Sequence, residues 1–139
     1  SSYYNSSNRA YPDVSAMGNG FAVYLSSYGG WTTVGGTSAS SPTFAATTAY
    51  LNALSYNKTG KPLGFLNPLL YKMAAAQPSA FTDIVTGDNK CTEDGCASTC
   101  KGYECTTGWD PVTGLGTPVL SEMAKYVESM LVAKATVLI

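Results

Sequence analysis

The sequence predicts an α/β fold, with strands forming a layered sheet and helices covering both of its faces. Three features carry that reading. The runs Phe-Ala-Val-Tyr-Leu (21–25) and Trp-Thr-Thr-Val (31–34) are short, rich in β-branched and aromatic residues, and joined through 26–30 as a hairpin-like pair. From Ser41 the segment Pro-Thr-Phe-Ala-Ala-Thr-Thr-Ala-Tyr-Leu-Asn-Ala-Leu is apolar around most of its circumference, which suits a helix buried on nearly all sides. A second helix opens at Asn67-Pro68, with asparagine as cap and proline at the first helical position.

Composition narrows the function classes. The chain has 139 residues, enough for one domain with a modest core of its own. Charged residues make up 12% of it, about half the usual share. A net charge of −1 without a basic cluster argues against nucleic acid. No apolar run reaches membrane-spanning length, and the opening Ser-Ser-Tyr-Tyr-Asn has no signal-peptide pattern. The chain is therefore expected to begin at a processing site or an engineered boundary. There is no histidine, so these residues alone cannot complete a Ser-His-Asp triad.

Taken in order, residues 1–8 are polar and aperiodic, an exposed tail. In Arg9-Ala10-Tyr11-Pro12-Asp13-Val14, proline biases Tyr11 toward extended geometry and Asp13 closes a turn, a structural role preferred here to a catalytic one. Strands and helix then meet at Val34-Gly35-Gly36-Thr37-Ser38. Glycines permit a tight corner, and Ser38 after it lies at a helix N-terminus, where unpaired N–H groups and the dipole favour developing negative charge. That is a position for a nucleophile, and equally for a helix cap. Residues 57–64 read as a polar turn. Leu69, Leu70, Met73 and Ala74 give the second helix an apolar stripe that ends at Gln77-Pro78. Residues 80–116 are loop-like, and 122–134 form an amphipathic closing helix.

Within the loop region, Asp83 and Asp110 stand beside glycine-rich backbone, offering oxygens to a hard cation such as calcium, or merely closing turns. Cys91, Cys96, Cys100 and Cys105 lack zinc-type spacing and favour disulfides, hence an oxidising compartment. Cys91–Cys105 around Cys96–Cys100 is the expected pairing, with three pairings possible and a bridge to another chain left open. The sequons at Asn5 and Asn57 agree with a secretory route.

Three segments together resemble the sedolisin (serine-carboxyl peptidase) family. Gly36-Thr37-Ser38-Ala39-Ser40-Ser41-Pro42 resembles its nucleophile segment. Arg9-Ala10-Tyr11-Pro12-Asp13-Val14 resembles its Arg-x-x-Pro-Asp-Val segment, and Pro62-Leu63-Gly64-Phe65-Leu66-Asn67-Pro68-Leu69-Leu70-Tyr71 its tripeptidyl-peptidase branch. The resemblance implies the C-terminal portion of a subtilisin-like parallel-sheet sandwich. On that map 9–78 hold strands and the nucleophile helix, 79–118 the calcium and disulfide loops, and 119–139 the closing helix. It implies Ser38 as nucleophile, with Pro42 inside the first helical turn. It also implies a structural calcium held by the Asp83 and Asp110 carboxylates and the Ile84, Thr106 and Gly108 carbonyls, although the family usually has glycine where Thr106 stands.

In the family a glutamate, oriented by an aspartate, takes the serine proton, and a further aspartate stands at the oxyanion hole. None of the nine acidic residues here matches those roles. An upstream segment or second chain is expected to supply them, cleavage of one precursor being one route to it. A carboxylate base suits acid, since its reference pKa is about 4. The expectation is an acid-acting serine peptidase of the lysosome, vacuole or extracellular space, acting on peptides or proteins. The alternatives are a non-catalytic, calcium-stabilised secreted binding module, with Ser38 as a cap, and an inactive peptidase relative.

Overall fold

The computed structural model describes residues 4–5, 7–92 and 100–136. β1 (Phe21–Leu25) and β2 (Gly30–Val34) pair antiparallel, with Phe21 opposite Val34 and Leu25 opposite Gly30. A 3-10 turn over Ser26–Tyr28 joins them, and Gly29 closes it at φ 71°, donating its N–H to the Ser26 carbonyl at 3.1 Å. That left-handed conformation is open to glycine at little steric cost. Phe21, Val23 and Leu25 are half-buried while Ala22 and Tyr24 face out, the period of two expected of a strand. Tyr24 meets Trp31 edge-to-face across the pair, ring centroids 5.7 Å apart.

α1 runs Thr37–Thr59, and here the structure corrects three expectations. The helix starts at the glycine corner itself, so Pro42 lies in the second turn. There its missing N–H leaves the Ser38 carbonyl without an intrahelical amide. Residues 57–59, expected in a turn, form the last helical turn before Gly60, which ends the helix at φ 69° with its N–H on the Tyr56 carbonyl at 2.8 Å. The buried Ser55 hydroxyl reaches past that end to the Lys61 carbonyl at 2.9 Å, turning the chain back. Nor is α1 covered all round: Leu51 and Ser55 are buried, while Pro42, Ala45, Ala46, Ala49 and Ala53 form an exposed face.

α2 (Asn67–Ala76) is capped at Leu66, not at Asn67. Asn67 is the first helical residue and Pro68 the second, because the Asn67 amide is drawn to the Asp13 carboxylate, Nδ2 donating to Oδ2 at 2.9 Å. A 3-10 turn over Pro78–Ala80 leads into β3 (Phe81–Thr82), which pairs antiparallel with β4 (Thr117–Pro118) ahead of α3 (Leu120–Thr136). Among the described residues both sheets are two-stranded and antiparallel, so the mixed α/β character is present without a parallel sheet.

The core lies between the three helices. Leu51 of α1, Leu70 and Met73 of α2, Ala80, Phe81, and Met123, Val127 and Leu131 of α3 form one cluster. Met73 has no exposed surface. Met73→Ala is therefore expected to cost about 2–5 kcal/mol of stability by leaving a cavity, read by urea denaturation. An unchanged midpoint would show that the site collapses around the smaller side chain.

Candidate active site

The corner before α1 is built by close backbone approach. The Gly36 N–H donates to the Gly18 carbonyl at 2.6 Å, drawing the 18–20 loop against the end of β2. A Cβ on Gly35 would meet Asn19 Oδ1 at 2.6 Å and the Gly18 carbonyl at 2.9 Å, and a Cβ on Gly18 would overlap the Ser40 hydroxyl. Glycine is needed at Gly35, where backbone blocks a side chain, whereas at Gly18 the Ser40 hydroxyl would have to turn aside. Gly36 sits at φ 137°, ψ 169° and is the N-cap, with no side-chain capping bond. Ser38 is thus the second residue of the helix rather than its cap, and it is exposed. Its hydroxyl stands in the first turn, at the positive end of a 23-residue helix.

No hydrogen bond joins the Ser38 hydroxyl to a carboxylate among the described residues. Of the nine acidic residues, Glu93 and Asp94 lie outside those described. The other seven are engaged elsewhere. Asp13 holds Arg9, Asn67 and Tyr71, while Asp83 and Asp88 accept backbone N–H groups from Gly108 and Lys90. Glu104 pairs with Lys90, Glu122 with Lys125 and Glu128 with Lys58, and Asp110 is buried.

Asp13 is a junction that sequence reasoning placed only in a turn. Its Oδ1 accepts the Tyr71 hydroxyl at 2.8 Å, and its carbonyl accepts the Leu115 N–H at 2.9 Å. Trp109 Nε1–H donates to the neighbouring Pro12 carbonyl at 3.0 Å. The partners lie 54, 58 and 97 residues away, beyond the reach of local pattern. Burial, then the hydrogen bond and charge of Asp13, push the Tyr71 hydroxyl pKa up.

The two loops singled out for a cation do meet. Asp83 Oδ2 accepts the Gly108 N–H at 2.7 Å, bringing Asp83, Ile84, Thr106, Gly108 and Asp110 into one neighbourhood. Asp110 is 1% exposed. Its Oδ1 accepts the Val112 and Thr113 amides at 3.0 and 2.8 Å and the Thr113 hydroxyl at 3.2 Å, and its Oδ2 accepts the Thr106 amide at 2.9 Å. Burial alone would raise its pKa. The backbone bonds from Thr106, Thr113 and Val112 outweigh that and hold the carboxyl below its ordinary value. Oδ2, with one amide on it, keeps a lone pair for a cation. No cluster of three or more His, Cys, Asp or Glu side chains occurs among the described residues, so any cation here depends on backbone carbonyls, as calcium tolerates.

The cysteine pairing differs from expectation. Cys91 bonds to Cys100, their Cα atoms 5.6 Å apart, and Cys105 is a half-buried thiol. Residues 91 and 100 are brought together as the Asp88–Glu104 bridge closes the loop, while Cys105 is held beside Gly87 by its N–H on the Gly87 carbonyl at 2.9 Å. Burial, with the nearby Asp110 and Asp88 charges, pushes the Cys105 thiol pKa up. Cys96 lies outside the described residues. Asn5 is exposed in the N-terminal segment, and Asn57 is exposed on the last turn of α1.

No protein-family model matches the chain. It is 51% identical over 127 residues to physarolisin of Physarum polycephalum, covering 91% of this chain and 21% of that protein. It is 39% identical over 128 residues to tripeptidyl-peptidase 1 of Dictyostelium discoideum, covering 91% and 20%. The fold is similar to that of Pseudomonas sedolisin, a serine-carboxyl proteinase solved with two molecules of pseudo-iodotyrostatin. The match has a TM-score of 0.58 and 32% identity, and covers 73% of this chain and 25% of that one. The chain thus spans about a fifth of the length of these sequence relatives.

Proposed function

We propose that this chain, a relative of the sedolisin-family serine-carboxyl peptidases, carries the nucleophile segment of an acid-acting peptidase, with Ser38 attacking the peptide carbonyl. The observation that carries the reading is the placement of Ser38: exposed, second in α1, and not spent as a cap. An acyl-enzyme forms when the Ser38 oxygen bonds the carbonyl carbon and its proton passes to a base. First-turn amides and the helix dipole favour the negative charge that develops. The base, and a protonated acid at the oxyanion, come from Glu and Asp residues of polypeptide outside this chain, in an upstream segment or second chain. Supporting this, all seven described carboxylates are held elsewhere. The uncovered alanine face of α1 supports a larger domain in which a parallel sheet covers the helix.

The test is covalent labelling. A fluorophosphonate or aldehyde probe at acid pH should modify Ser38 in the whole enzyme and spare the Ser38→Ala variant. A native enzyme that hydrolyses peptides with Ser38 unmodified would overturn the assignment. The engaged state of the seven carboxylates also favours a second reading, a calcium-stabilised, non-catalytic secreted module, which predicts no labelling and no hydrolysis.

Asp83 and Asp110, with the Ile84, Thr106 and Gly108 carbonyls, would hold a calcium ion whose contribution is structural, tying two loops together. Calcium at about a hundred times its dissociation constant should then stabilise the fold by roughly 2.7 kcal/mol. A melting temperature insensitive to calcium and to chelator would remove the metal from the proposal. Glycans at Asn5 and Asn57 and the Cys91–Cys100 disulfide fit a secretory route ending in a lysosome, a vacuole or the exterior. Among the described residues no helix is long and apolar enough to cross a membrane.

A further inference from the structure

We propose that the cleft between the N-terminal segment and the Trp109 loop is the seat of the first sugars of a glycan on Asn5. The proposal rests on the secretory reading above and goes beyond it by naming where that glycan lies. The half-open cleft has a volume of about 680 Å³ and is lined by Tyr4, Asn5, Tyr11, Tyr103, Trp109 and Pro111, with Asn8 and Arg9 among its polar lining. That volume falls within the roughly 300–1,000 Å³ of small-molecule sites.

Three observations converge on this occupant. Asn5 heads the Asn5-Ser6-Ser7 sequon and lines the cleft itself. Its Oδ1 accepts the Ser7 N–H at 3.0 Å, and Asn8 N–H closes the turn on the Asn5 carbonyl at 3.0 Å. This leaves Nδ2, the atom that bears a sugar, as the other branch of the amide. The aromatic walls are already braced. Asn89 accepts the Tyr103 N–H at 2.7 Å and donates to the Pro111 carbonyl at 3.4 Å, while Trp109 is tied to Pro12. Tyr4 meets Tyr103 edge-to-face at 6.0 Å.

The chemistry matches an N-acetylglucosamine unit. A pyranose presents a face of C–H groups, and its N-acetyl group a methyl, both suited to aromatic surface. Its hydroxyls and amide need polar partners, which the Asn8 amide and the Arg9 N–H groups not bonded to Asp13 and Ala10 offer in the lining. Attachment joins Nδ2 to the anomeric carbon of a lipid-diphosphate-linked oligosaccharide. The lipid diphosphate leaves and the amide gives up one proton. Asn57, on the exposed face of the last α1 turn, does not line this cleft, so its glycan would extend into solvent.

The test uses the protein secreted from a eukaryotic host, with glycopeptide mapping and a time course of enzymatic glycan release under native conditions. Asn5 should be occupied, and its glycan released about tenfold more slowly than in Tyr4→Ala or Tyr103→Ala, since release requires the cleft-free state. The N-acetyl methyl proton of the first Asn5 sugar should be shifted upfield by the rings, a shift lost in either variant. An unoccupied Asn5 would sink the glycosylation reading itself. An occupied Asn5 with unshifted methyl and variant-like release would overturn the cleft alone. If Tyr103→Ala is not secreted, the Tyr4→Ala variant carries the comparison, since Tyr4 is 53% exposed and its loss costs the fold little.

Discussion

Ser38→Ala is expected to abolish peptide hydrolysis by the whole enzyme, lowering kcat by about 10⁴-fold or more while KM changes little. The reason is the loss of the only atom proposed to bond the carbonyl carbon. Binding groups elsewhere are untouched, so the effect falls on the transition state. The same substitution should leave stability within about 0.5 kcal/mol of the parent, because Ser38 is exposed and the cap is Gly36. This combination separates the two roles a serine has at a helix start. A loss of roughly 1 kcal/mol with activity retained would identify a cap after all. If carboxylates outside this chain act as the base, as proposed, the rate should persist into acid where an imidazole would be protonated. A rate that rises with pH through the histidine range would contradict it.

Asp110→Ala is expected to be the most destabilising single substitution in the loop region, at about 3 kcal/mol or more. It strips one buried carboxylate from the Thr106, Val112 and Thr113 amides, leaving each short of a partner. In a domain of this size that corresponds to a melting-temperature fall of about 10 °C, read by calorimetry. The pH dependence has a definite sign. The carboxyl pKa is lowered in the folded chain, so its contribution is fully present above the ordinary carboxylate value. It is lost as pH falls through the folded value. The stability gap between parent and variant should therefore persist at mildly acidic pH and narrow only in stronger acid. A gap that narrows toward neutral pH would contradict the hydrogen-bonded, ionised state.

Much of this molecule was legible because its signals are local. The hairpin followed from two short runs rich in β-branched and aromatic residues with a short connection between them, and α2 and α3 from apolar residues at helical spacing. The glycine corner placed Ser38 at a helix start, and the short peptidase-like segments pointed to relatives that the comparisons then supplied. Boundaries were less legible. Asn67 looked like a cap because local pattern cannot see Asp13, 54 residues away, competing for its side chain. Pro42 moved into the second turn because the backbone of Gly36 begins the helix without any side-chain signal.

From residue type and short spacing alone came the hairpin, the three helices, the lack of histidine among these 139 residues and the candidate nucleophile. Only the tertiary structure decided which carboxylates are occupied and which cysteines meet. It alone showed that Tyr4, Tyr103 and Trp109 share a cleft with Asn5, and that the alanine face of α1 is left open. Those outcomes depend on backbone hydrogen bonds and close approaches between distant segments, whose partners no local pattern encodes.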